Sequence, residues 1–92
     1  MARAQLTVLL GDQVVPIVGS FLELASHAIE AEGGTVDKFI GDAVMAFWGA
    51  PTADPDHALH ACRAALAMVA GMEAARARGE PLGELHVRIG LH

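Results

Sequence analysis

The sequence carries a single cysteine, Cys62, in 92 residues, so no internal disulfide can staple it, and a reducing compartment suits it. Cations are few as well: 6 Lys and Arg stand against 11 Asp and Glu, a formal charge of −5. They are scattered rather than grouped, which excludes electrostatic wrapping of nucleic acid, because phosphate neutralisation needs clustered Lys and Arg. Long apolar runs are missing too. Nothing approaches the roughly 18 consecutive apolar residues of a membrane span, and Leu6 to Leu10 is too short for the apolar region of a signal peptide. A cytoplasmic chain without membrane contact is expected. No internal repeat or low-complexity segment is visible.

What is present is a core. Apolar residues make up 53% of the chain, far above the content of disordered segments, and the length suits one domain. From Gln13 to Ala31, Val14, Val18, Phe21, Ala25, Ala28 and Ile29 recur every three or four positions, the period of a one-sided helix. Asp12 is its expected N-cap and Gly33-Gly34 its stop. Thr35 to Ile40 and Ala43 to Trp48 are rich in β-branched and aromatic residues and flank Gly41-Asp42, which predicts a tight hairpin. Pairing across that turn sets Lys38 opposite Met45. Strict alternation would give Lys38 a face shared with Val36, Ile40, Ala43, Met45 and Phe47, a cation amid apolar neighbours.

Asp54-Pro55 opens a second helix, with Asp54 as N-cap and Pro at the first helical position. Its expected buried stripe is Ala58, Leu59, Cys62, Ala65, Leu66 and Val69, which makes Cys62 a structural thiol. The helix should end before Gly79-Glu80-Pro81. Leu85, Val87, Ile89 and Leu91 then alternate with polar or small residues as a half-buried strand. His57 and His60 lie near Asp54 and Asp56, but zinc needs three or four converging ligands, so these carboxylates are read as helix N-terminal charges. Met45, Met68, Met72, Phe39, Phe47 and Trp48 are assigned to core packing. The expected order is α-β-β-α-β, an α+β, ferredoxin-like (split β-α-β) pattern without its first strand. Loss of that strand would leave the last one unpaired and the chain sticky.

Gly33-Gly-Thr-Val-Asp-Lys-Phe-Ile-Gly-Asp-Ala-Val-Met-Ala-Phe-Trp-Gly-Ala-Pro51 resembles the hairpin of bacterial class III adenylate/guanylate cyclase catalytic domains. Asp54-Pro-Asp-His-Ala58 and Val87-Arg-Ile-Gly-Leu-His92 are similar to the same family in the same order, so the resemblance spans roughly residues 13 to 92. It implies conversion of a nucleoside triphosphate, ATP being favoured, to its 3′,5′-cyclic monophosphate and pyrophosphate, at sites shared between two cyclase domains in a homodimer or heterodimer. In that family the hairpin's Gly-Asp aspartate holds two Mg²⁺ or Mn²⁺ ions together with an aspartate at the end of the opening strand, and Asp42 matches the hairpin position. The family's lysine four residues earlier recognises adenine, and Lys38 matches it. On this reading residues 1–92 are a partial catalytic domain, truncated at both ends, without the first metal aspartate and without the downstream Asn and Arg that stabilise the transition state. Such a chain is expected to be inactive alone. The alternatives are an inactive partner or dimerisation module of a cyclase, or a non-functional remnant.

Overall fold

Ala4, Leu6 and Val8 alternate with Gln5 and Thr7, and this two-residue period forms a strand, β1 (Ala4–Leu10), with the first three buried and the other two half-buried. The strand expected to be missing is therefore present. It is also central: the four-stranded sheet has the order β2-β3-β1-β4, with β2 (Thr35–Ile40), β3 (Ala43–Trp48) and β4 (Val87–Leu91). With α1 (Val15–Ala31) and α2 (His57–Ala77) the order is β-α-β-β-α-β, the complete split β-α-β pattern. The computed structural model describes residues 4–10, 15–40, 43–50, 52–80 and 87–92. Asp12, Gln13, Val14 and Leu85 fall outside them, as do Gly41 and Asp42.

All three strand pairings are antiparallel. β1 pairs with β3 from Ala4↔Trp48 to Leu9↔Ala43, and with β4 from Leu6↔Leu91 to Leu10↔Val87. Backbone bonds between Gln5 and His92, at 3.1 and 2.9 Å, extend the second ladder. The last strand thus has its neighbour, which removes the reason for expecting the chain to be sticky along that strand.

Both helices pack on one face. Leu6, Val8, Val44, Ala46 and Trp48 from the sheet meet Phe21, Ala25 and Ile29 of α1 and Ala61, Ala64 and Met68 of α2, all buried. The stripe expected on α2 is corrected here: Ala61, Ala64, Met68, Met72 and Ala75 are buried, whereas Ala58, Leu59, Cys62, Leu66 and Val69 are exposed and only Ala65 packs partly on the core. Apolar residues surround most of this helix, so periodicity could not select the face. Packing against α1 and the sheet did, favouring small alanines and pliable methionines.

Local chemistry ends each helix. At α1, Gly33 takes φ 80°, its N–H donates to the Glu30 carbonyl at 3.0 Å, and the Gly34 N–H donates to the Ile29 carbonyl at 2.9 Å. Gly79 does the same at α2, where Glu80 N–H reaches the Ala75 carbonyl at 2.9 Å. The start of α2 lies two residues beyond the expected position. Asp56, not Asp54, is the N-cap residue, and Asp54 instead accepts the Asp56 N–H on Oδ1 at 2.9 Å, forming the turn that precedes the helix.

Candidate functional site

The face of the sheet opposite the helices bears no covering element among the described residues. It displays Gln5 and Thr7 of β1 and the half-buried Ala43, Met45 and Phe47 of β3. Lys38, the only lysine in the sequence, joins them from β2, opposite Met45 as expected.

The route by which it gets there was not legible in the sequence. Val36 pairs with Ala46 and Lys38 with Met45, so Asp37 is an extra residue, a β-bulge. One residue too many resets the alternation. Val36 turns to the helix side, where it packs on the core, and is not a neighbour of Lys38. The bulge also explains an otherwise unexpected contact between consecutive strand residues: Lys38 Nζ lies 3.7 Å from Asp37 Oδ2. Both side chains are open to water, at 55% and 44% exposure, so this ion pair contributes little stability.

β2 is an edge strand, so Lys38 stands beside an apolar surface, not within a closed pocket. Phe39, assigned to the core, is half exposed; it lines a groove against Ser26 and Glu30 of α1. Met45 and Phe47 likewise belong to the open face, whereas Trp48, Met68 and Met72 are core residues as expected. The Trp48 indole N–H donates to the Glu32 carbonyl at 3.0 Å, tying the far end of the hairpin to the end of α1.

Ile40 pairs with Ala43, so Gly41 and Asp42 are the whole connection between β2 and β3. Asp42 itself lies outside the described residues. Among the described residues no group of three or more His, Cys, Asp and Glu side chains could hold a metal ion. His60 Nδ1 donates instead to Asp54 Oδ2 at 2.6 Å, because an ionised carboxylate can only accept. This bond, with the Asp56 N–H as a further donor, holds the Asp54 carboxyl below its ordinary value. His57 Nδ1 is buried without a hydrogen-bond partner.

A family model described as the adenylate and guanylate cyclase catalytic domain matches residues 8–92. The chain belongs to this cyclase family. It is 41% identical over 83 residues to adenylate cyclase 1 of Rhizobium meliloti (strain 1021), a match covering 88% of this chain and 12% of that protein. A bacterial light-regulated adenylyl cyclase superposes with a TM-score of 0.79 at 25% identity, over 97% of this chain and 51% of the other. The adenylyl cyclase CyaB of P. aeruginosa does so with a TM-score of 0.73 at 27% identity, over 98% and 56%. The chain thus spans little more than half of these solved cyclase chains. No helix among the described residues is long and apolar enough to cross a membrane.

Proposed function

We propose that residues 1–92 serve as one part of a nucleoside triphosphate cyclase domain, with ATP the favoured substrate. In this role the chain presents a base-reading lysine and a pair of metal-holding carboxylates to a second cyclase domain. The observation that carries this reading is the placement of Lys38 on the uncovered sheet face, on the hairpin whose connection contains Asp42. An ammonium beside Met45 and Phe47 becomes selective once a second surface excludes water. A purine ring nitrogen left unpaired there would then cost about 1–3 kcal/mol. The adenine ring accepts from such a donor at an unprotonated ring nitrogen, whereas guanine offers a protonated one at the same edge.

The donor set fits a divalent cation better than the sequence pattern indicated. β1 is present, and Gly11-Asp12 follows its last residue directly. Leu9 pairs with Ala43, so the chain leaves β1 and enters β3 at the same end of the sheet on adjacent strands. Each trans peptide link spans about 3.8 Å, which keeps the backbone of Asp12 within about 11 Å of Leu9 and that of Asp42 within one link of Ala43. The chain therefore allows the two carboxylates to converge, and we assign Asp12 beside Asp42 as holders of Mg²⁺ or Mn²⁺. Bound ions would polarise the attacking ribose oxygen and neutralise the pyrophosphate leaving group. The side chains supply the oxygen ligands such hard cations require.

The test uses an intact class III adenylyl cyclase domain whose own metal-holding aspartates have been replaced by alanine. Mixed with the 92-residue chain, this silent domain should recover cyclic AMP synthesis, and Asp42→Ala or Asp12→Ala in the chain should abolish the recovery. Absence of recovery, or recovery indifferent to both substitutions, would overturn the proposal. A chain that instead alters the turnover of an intact, unmutated cyclase without dependence on Asp42 would be a modulating partner.

A further inference from the structure

On a regular strand neighbouring side chains point to opposite faces, so no residue next to Lys38 could share its face. The bulge at Asp37 breaks that rule. Aiming the lysine does not require it. Val36 pairs with Ala46 and Lys38 with Met45, successive positions on β3, so a strand without Asp37 would still send Val36 to the core and Lys38 to the open face. What the extra residue adds is a carboxylate, with Oδ2 3.7 Å from Nζ, while it leaves one position of the ladder unpaired.

No other residue replaces that carboxylate. The register sets Gln5 and Thr7 of β1, Thr35 of β2, and Met45 and Phe47 of β3 around Lys38 on the open face, and among the described residues of that face Asp37 is the only acid. Asp37 also borders a recess of about 140 Å³ together with Gln5, Ala46 and Phe47, so it stands beside the surface against which a purine ring would lie. Lysine carries its charge and three N–H donors at the tip of a flexible four-carbon stem. One donor directed at Asp37 leaves two for a ring nitrogen and narrows the directions the stem explores.

We propose that Asp37 is a positioning residue for Lys38, a role that rests on the cyclase reading and deepens it. In the chain alone both groups are open to water, and the carboxylate holds the lysine loosely. A second domain closing over the face removes that water, and an ammonium covered without a partner is costly. Asp37 supplies the partner, draws Nζ into hydrogen-bond distance and keeps it aimed along the face before ATP arrives. The edge position of β2 offers a competing explanation, since bulges and lysines both deter the addition of another strand. Asp37→Asn separates the two, because it retains the extra residue and Lys38 and removes only the negative charge.

Lys38 is the only lysine, so nitrogen relaxation of Nζ in a chain made with isotope-labelled lysine reads its ammonium without assignment. The ammonium should be more restricted in the parent than in Asp37→Asn, with Asp37→Glu close to the parent, and about 1 M KCl, whose screening length is about 3 Å, should erase the difference. For the reaction, the chain is mixed with a class III adenylyl cyclase domain whose own lysine at the matching position is replaced by alanine, which leaves Lys38 as the base reader. We expect Asp37→Asn to raise KM for ATP about tenfold with kcat within about twofold, the mark of an interaction made equally in the bound and transition states. Asp37→Glu should restore most of the affinity. Recovery that requires Lys38 but is the same with Asp37→Asn, or an ammonium equally mobile in the parent and Asp37→Asn, would overturn this proposal and leave the cyclase reading standing. No recovery by the parent chain, or recovery indifferent to Lys38→Ala, would fail the cyclase reading and this proposal with it.

Discussion

Replacing Gly34 with alanine tests the packing around the single tryptophan. A Cβ built on Gly34 would stand 2.5 Å from Trp48 Cε2, 2.6 Å from Trp48 Cζ2 and 2.8 Å from Ile29 Cγ2. Real carbon atoms do not approach so closely. Trp48 and Ile29 are fully buried, and the indole is held by its bond to the Glu32 carbonyl at 3.0 Å, so neither can yield freely. Overpacking of this kind costs about 1–3 kcal/mol, and tilting the indole enough to lose its hydrogen bond adds about 1 kcal/mol. A total of about 2–4 kcal/mol is a large part of the roughly 5–14 kcal/mol expected for a chain of this length. It corresponds to a fall in melting temperature of about 10–30 °C. Gly33→Ala is the comparison: no atom lies within 4 Å of its added Cβ, but its φ is 80°, and the left-handed conformation costs alanine about 1–2 kcal/mol. Urea and thermal unfolding followed by Trp48 fluorescence measure both. If Gly34→Ala melts with the parent, or is milder than Gly33→Ala, the assigned contact between the end of α1 and the end of β3 is wrong.

Deletion of Asp37 should be tolerated within about 1 kcal/mol, because it brings the pairs Val36↔Ala46 and Lys38↔Met45 into regular succession; a urea midpoint far below the parent's would refute the bulge. Asp54 has a folded pKa below its ordinary value because His60 hydrogen-bonds to it, so its contribution is complete above the unfolded carboxylate value and fades as pH falls through the folded one. The parent should lose stability over that acid window more steeply than Asp54→Asn, a difference that melting curves at stepped pH would reveal. His57→Leu removes a buried nitrogen that has no partner, and the melting temperature should stay level or rise.

Short-range chemistry was readable from the chain alone. The bounds of β2 and β3, the pairing of Lys38 with Met45, and the glycine stops of both helices depend on residues within a few positions of one another, so local pattern specified them. β1 has a local signature as well, the alternation of Ala4, Leu6 and Val8 with Gln5 and Thr7, although it is short and its last residues, Leu6 to Leu10, form a nearly continuous apolar run. Other features had no local signature. Nothing near Asp37 marks it as the extra residue; β3 and the core behind Val36 impose the bulge. Gly34 reads as part of a helix stop, and only the indole arriving from β3 makes its missing side chain a requirement. The face of α2 was undecidable for the same reason: alanine, leucine, cysteine, methionine and valine surround the helix with little contrast in polarity. The choice fell to shape, and shape exists only once α1 and the sheet are in place.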